Sequence, residues 1–308
     1  ICITWRKRLS LTKYLHQVKP REESYINHVD RIQDLLSEAK AQQGYVYEKN
    51  AAAVLKRIGI VPQNFDPAGA LSDIPDLKIQ KKGVNGNKPT GCELKISAAD
   101  AGSLVIKYVN GKWEMGSIVT TDKKSGKEIT NDEKKFMKEL AEEVDLIGLI
   151  NKKWKEEPYR GGTSDKIMKE KAKLTSRQRY ERDLNTFKDI RGEIPATKIE
   201  EYYNKKNTYY VNVGTHGFYL LGTSNPLKLK GTDKPIPRFG TSATAKFRAR
   251  CQYKSETKST GNVNYQFTLM MIFSIPAAKK SDYNIAPIIS KKDVKIDTNK
   301  LKLDWFLK

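Results

Sequence analysis

Cysteine is scarce in this chain: Cys2, Cys92 and Cys251 are the only three in 308 residues, and they lie far apart. That excludes a disulfide framework and a Cys-x-x-Cys metal knuckle, and makes a reducing, intracellular setting the simplest expectation. Histidine is equally rare, with His16, His28 and His216 scattered along the sequence, so a zinc finger is unsupported. No Walker A sequence is present, which argues against an ATP-driven motor. No run of 18 apolar residues occurs and no signal-peptide pattern opens the chain, so neither membrane spanning nor secretion is expected. The numbering starts at Ile1 and not at Met, which leaves room for a removed leader.

What the chain has in excess is positive charge. Lys and Arg total 57 against 36 Asp and Glu, a formal net charge of +21. The excess is uneven. Residues 1–150 carry 24 basic and 20 acidic side chains, a balance of +4, whereas residues 151–308 carry 33 and 16, a balance of +17. A positive field this concentrated repels itself unless a polyanion is the partner, and nucleic acid is the commonest one. Hydrophobic residues at 38% and charged residues at 30% fit a folded globular chain.

Residues 1–21 read as a basic arm, with Arg6, Lys7, Arg8, Lys13, Lys19 and Arg21. From Glu22 to Ala41 the residues Ile26, Val29, Ile32, Leu35, Leu36 and Ala39 recur at helical spacing. Gly44 interrupts that pattern, and a second helix through Ala51, Val54, Leu55 and Ile58 is closed by Gly59. Short strands are expected at 76–79 and 91–96, joined by the turn-rich run Gly83-Val84-Asn85-Gly86-Asn87. Asn110-Gly111 between apolar runs is a strong hairpin signal. One long helix is expected from Asp132 to Lys155, a charged linker over 156–194, and a short helix over 196–206. Beyond it the period changes to two, with strands at 209–213, 218–221, 246–253 and 265–273. The expected class is therefore α/β (α+β): a core at 22–155 and a basic, β-rich region at 195–308.

The chemistry is carried by the two short strands. On a strand, residues i and i+2 share a face, so Glu93 and Lys95 project together while Leu94 packs behind. Asp76 opens the preceding strand beside Pro75, and an antiparallel fold-back would bring it near Glu93. Two carboxylates and an ammonium group are what divalent-metal hydrolysis of a phosphodiester needs. The triplet Glu-x-Lys alone is weak, because it also occurs at Glu38, Glu133 and Glu256. Two of those lie on expected helices, where i and i+2 do not share a face, and the third in a polar turn. Asp73 is a rival to Asp76, but only Asp76 directly precedes the apolar pair Leu77 and Ile79.

Ile74-Pro75-Asp76 followed by Gly91-Cys92-Glu93-Leu94-Lys95-Ile96 resembles the PD-(D/E)xK signature of the restriction-endonuclease-like nucleases. Gly44-Tyr45-Val46-Tyr47-Glu48, opening the helix that ends at Gly59, resembles the first core helix of that fold, whose acid often faces the site. The resemblance spans roughly residues 25–120. It implies a restriction-endonuclease-like core with a mixed central sheet flanked by helices. It also implies Asp76 and Glu93 as Mg²⁺ ligands, Lys95 as the group that orients water, and Glu48 as a further catalytic acid. The implied activity is hydrolysis of double-stranded DNA to 5′-phosphate ends, in a bacterial or phage-infected cell. A type II restriction-like endonuclease, with a homodimer as one arrangement, leads over a phage or viral processing nuclease. The chain lacks the Gln-containing helical motif of several exonuclease branches, which favours the endonuclease. A non-catalytic nucleic-acid-binding protein is the rival class.

In the basic half, Lys246, Arg248 and Arg250 alternate along one expected strand and so share a face opposite Phe247, Ala249 and Cys251. Arg177, Arg179 and Arg182 lie in a Lys-rich segment upstream. Both groups are expected to contact phosphates. Gly214-Thr215-His216-Gly217 reads as a tight hairpin turn.

Overall fold

The computed structural model describes residues 43–67, 75–98, 100–121, 128–155, 187, 190–255, 263–290 and 294–307. The basic arm, the helix expected over 22–41, Asp73, and Arg177, Arg179 and Arg182 lie outside the described residues.

A helix over residues 43–57 (α1) ends as its sequence predicts. Gly59 takes φ +75, and the Gly59 and Ile60 N–H groups return to the Lys56 and Leu55 carbonyls at 3.0 Å. Gly44, expected to interrupt, sits inside the first described turn. There follow β1 (Leu77–Ile79), β2 (Thr90–Lys95), β3 (Asp100–Val109) and β4 (Lys112–Met115). The β3–β4 hairpin turns on Asn110 and Gly111, both at positive φ, as a two-residue primed turn requires. A short ribbon, β5 (Val119–Thr121) with β6 (Glu128–Thr130), was not evident in the sequence.

The single helix expected over 132–155 is two: α2 (Asp132–Glu143), capped by Asn131 accepting from the Lys134 N–H, and α3 (Leu146–Lys155). The break falls at Asp145, which adopts φ +47, a conformation Asp tolerates better than most residues. Gly148 leaves room for the Asp145 carboxylate against the first turn of α3. Asn151 then pins α3 to β4, bonding the Trp113 N–H (2.7 Å) and carbonyl (2.8 Å).

The remaining elements are β7 (Arg191–Ile194), α4 (Thr197–Asn204), β8 (Thr208–Val213), β9 (Gly217–Leu220), the single turn α5 (Phe239–Ser242), β10 (Thr244–Ser255), β11 (Val263–Ser274) and the single turn α6 (Asp304–Leu307). Two larger sheets result. One is mixed, in the order β1-β2-β8-β9, with β1 antiparallel to β2, β2 parallel to β8, and β8 antiparallel to β9. The other is antiparallel, in the order β4-β3-β11-β10-β7. Each sheet therefore draws strands from both sides of the 156–194 segment, and the end of that expected linker is itself a strand, β7, paired with β10. The basic half completes the sheets that the first half begins.

The architecture is mixed α and β. The four-stranded sheet is the middle layer. Cys92, Leu94, Tyr210 and Phe218 on one face pack with Tyr47, Ala51 and Leu55 of α1 and with Ile285, Trp305 and Phe306 near the C-terminus. Val211, Val213, Tyr219 and Leu221 on the other face join Tyr203 of α4 and Phe247, Leu269 and Met271 of the second sheet. Burial of these apolar side chains is the main stabilising contribution, of roughly 1.5–3 kcal/mol each. Among the described residues no helix is long and apolar enough to cross a membrane.

Candidate active site

Strand parity decides which side chains meet. Leu77 pairs with Cys92 across β1 and β2, and both point into the α1-side core. Asp76, one residue earlier, therefore faces the opposite side, the side taken by Glu93 and Lys95. The Leu94 N–H fixes it there by donating to Asp76 Oδ2 at 2.8 Å. Leu94 itself is buried behind, as its position between two polar residues predicts.

The three groups converge. Lys95 Nζ donates to Glu93 Oε1 at 2.5 Å and lies 3.6 Å from Asp76 Oδ2. All three side chains are largely buried, at 20% exposure for Lys95, 13% for Asp76 and 11% for Glu93. Glu48 of α1 joins them electrostatically: its carboxyl is raised to about 8, by burial first and by Asp76 next, with Lys95 opposing and Glu93 adding. Its Oε2 is buried and has no hydrogen-bond partner. Glu93 is raised to about 7 by burial and by Asp76, against the pull of Lys95 and of Lys206. Burial alone would lower the Lys95 ammonium. Asp76 and Glu93 more than offset it, and Lys95 titrates well above the usual lysine range.

Neighbouring elements hold this arrangement. The β8–β9 turn docks on the end of β2, with Gly214 N–H donating to the Lys95 carbonyl (2.8 Å) and Thr215 N–H to that of Ile96 (3.2 Å). The run 214–217 is thus the hairpin turn the sequence suggested. Gly91 lets β8 approach, since a Cβ there would lie 2.6 Å from the Asn207 carbonyl oxygen. Behind the site, Asn212 donates to the Tyr47 hydroxyl (3.2 Å) and accepts from the Ile285 N–H (3.1 Å). Tyr47 in turn donates to the Ala286 carbonyl (2.7 Å). That network locks α1, and with it Glu48, against the central sheet.

Two basic features border the site. Lys206, on the α4–β8 connection, donates to the Tyr202 hydroxyl (3.0 Å), sits 4.3 Å from that ring's centroid, and acts on Glu93. The sequence reading missed it, because nothing local in Asn204-Lys205-Lys206-Asn207 distinguishes one lysine from the next. The second is the expected stripe. Phe247 and Ala249 of β10 are in the core, while Lys246 and Arg248 are half-buried and Arg250 is exposed on the other face. Asp100, at the start of β3, is within electrostatic reach of Arg248, Arg250 and Lys95. Arg248 Nε is buried without a hydrogen-bond partner.

Among the described residues no three His, Cys, Asp or Glu side chains are gathered as a ready metal-ligand set. Lys95 fills the space between the Asp76 and Glu93 carboxylates instead. Comparison with protein-family models, with curated proteins and with solved structures finds no match to this chain.

Proposed function

We propose that this protein is a magnesium-dependent endonuclease with a restriction-endonuclease-like core, whose active site comprises Asp76, Glu93, Lys95 and Glu48. The observation that carries the proposal is the convergence of the Asp76 and Glu93 carboxylates on one lysine ammonium, within 3.6 Å, from two adjoining strands. Two largely buried carboxylates, of which Glu93 has a raised proton affinity, fit a hard cation that takes oxygen ligands. Asp76 and Glu93 would hold the ion. When bound, Mg²⁺ supplies Lewis acidity toward a phosphate oxygen and lowers the pKa of a ligated water.

The chain's own residues do the rest. Asp76 is oriented by the Leu94 N–H and cannot rotate away without losing that bond. Lys95 Nζ, a strong donor that stays protonated, holds the attacking water and offsets charge building on the phosphate. Glu48, coupled electrostatically to Asp76, Lys95 and Glu93 and with Oε2 unpartnered, would accept the water's proton once ionised. Lys246, Arg248 and Arg250 would neutralise backbone phosphates of a bound duplex.

The substrate we favour is double-stranded DNA, cut site-specifically in the manner of a type II restriction enzyme. A homodimer would present one such site to each strand. Supercoiled plasmid incubated with the full chain and Mg²⁺, against an EDTA control and Glu93→Ala, tests this. Discrete linear fragments made only by the wild type with Mg²⁺ are the expected result. A smear would replace the restriction enzyme with a processing nuclease of looser specificity. Binding without cutting by both proteins would reduce the chain to a nucleic-acid-binding protein.

A further inference from the structure

Lys95 is in an unusual position for a group that must hold water. Its ammonium sits between the carboxylates proposed to take the metal, 2.5 Å from Glu93 Oε1 and 3.6 Å from Asp76 Oδ2. A Mg²⁺ ion bound by both carboxylates would lie about 2.0–2.1 Å from an oxygen of each. An ammonium and a divalent ion cannot share that space. Their charges repel, and the surrounding side chains are largely buried, so water screens the repulsion poorly.

We propose that Lys95 is a built-in competitor for the metal: its ammonium closes the gap between Asp76 and Glu93, and a divalent cation enters only by displacing it. This rests on the metal-dependent reading of the site. The bonding around the two carboxylates allows such an exchange. Asp76 does not depend on Lys95 for its orientation, because the Leu94 N–H holds its Oδ2 at 2.8 Å. Glu93 stands on a central strand paired with β8, opposite Val211. The orientation of Asp76 and the backbone position of Glu93 therefore survive the departure of the ammonium, which frees Glu93 Oε1 for a cation. The lysine has four side-chain torsions and keeps a fifth of its side-chain surface exposed, so it can swing to the open side of the cluster. Displacement there delivers the same ammonium to the position from which it can hold water against a phosphate. Metal loading and assembly of the catalytic lysine become one event, and a chain without cation keeps its lysine sequestered.

The alternative is that Lys95 assists metal binding by screening the repulsion between the two carboxylates. The two accounts predict opposite signs. Mn²⁺ binding to the full chain, read by loss of the free-ion electron paramagnetic resonance signal at pH about 8, distinguishes them without reference to cleavage. Competition predicts that Lys95→Met and Lys95→Gln bind Mn²⁺ at least about tenfold more tightly than wild type. Lys95→Arg, which keeps the charge, should show no such gain. Circular dichroism melts verify folding, and Lys95→Gln retains a donor to Glu93 should Lys95→Met fail to fold. If the neutral variants bind Mn²⁺ no more tightly than wild type while Glu93→Gln weakens it, the metal site stands and the competition is overturned. If neither wild type nor the neutral variants bind Mn²⁺ at millimolar concentration, the metal reading and this inference fall together.

Discussion

Replacing Glu48 by Gln should stabilise this protein at alkaline pH and leave it unchanged at acidic pH. The Glu48 carboxyl is raised from 4.5 to about 8 by burial and by Asp76, and its Oε2 has no hydrogen-bond partner. Below pH 4.5 the group is protonated in both folded and unfolded states and contributes nothing to the pH dependence. Between 4.5 and about 8 the folded chain keeps a proton that the unfolded chain has released, so stability falls as pH rises through that window. At about 1.4 kcal/mol per pH unit, a fully buried group displaced this far would cost roughly 5 kcal/mol. Part of the Glu48 side chain still meets solvent, which screens the charge, so about 2 kcal/mol is the working magnitude. Gln has a similar shape, carries no charge, and its amide can donate to the neighbouring carboxylates. Urea unfolding of both proteins in EDTA at pH about 5 and about 9 reads the difference directly. The account predicts near-equal midpoints at the lower pH and the variant ahead by about 2 kcal/mol at the higher. A gap of the same size at both values, or a variant less stable at the higher pH, would refute the burial of Glu48 beside Asp76.

Other consequences follow from the same geometry. Glu93, raised to about 7, must ionise to hold a cation, and Glu48, raised to about 8, must ionise to accept a proton, so metal affinity and then cleavage should climb between pH about 6 and 8.5; a flat profile in a pH-rate series would contradict this. Glu200, only 2% exposed, is gripped by Arg238 through Nε (3.0 Å) and Nη2 (2.6 Å) and by the Gly240 N–H (2.6 Å). Arg238→Met strands that buried carboxylate and should lower stability by about 2–3 kcal/mol in urea melts, with cleavage of folded protein intact. Replacing Lys246, Arg248 and Arg250 together by Gln should weaken duplex binding and reduce the slope of log K against log salt by about 2–3. An unchanged slope in fluorescence titrations would place the phosphates elsewhere.

The candidate site was legible in the sequence because it is local. Parity along β2 puts Glu93 and Lys95 on one face, and a short turn-rich run returns Asp76 to them. Asp76 directly follows Pro75 and precedes the apolar pair Leu77 and Ile79, and it reaches both Leu94 and Lys95; Asp73 lies outside the described residues. The helix ending at Gly59, the Asn110-Gly111 hairpin and the alternation along β10 were legible for the same reason: each is set by residues within a turn or two.

What the sequence concealed is non-local. Period-two alternation reports which face a strand buries but not its partner, so the parallel pairing of Glu93 with Val211 and the pairing of β3 with β11 could not be read. An expectation of a separate basic region after residue 195 followed from charge, yet those strands complete both sheets. Lys206 reaches Glu93 through the same long-range pairing, since Gly91 of β2 lies against Thr208. Asn212, a fully buried amide in an apolar strand, has meaning only once Tyr47 and Ile285 are beside it. The break at Asp145 is hidden because helical spacing continues across it; Val144, at φ −102 and ψ 11, and the positive φ of Asp145 end the helix.

Locating a bound ion would decide whether Asp76 and Glu93 hold metal. Crystals of the full chain soaked in Mn²⁺ and measured at the manganese absorption edge would show where a divalent cation binds. The account predicts an anomalous peak about 2.2 Å from one oxygen of Asp76 and one of Glu93, with the Lys95 ammonium moved out from between them. A peak elsewhere, or none while Lys95 still bridges the two carboxylates at saturating Mn²⁺, would contradict it.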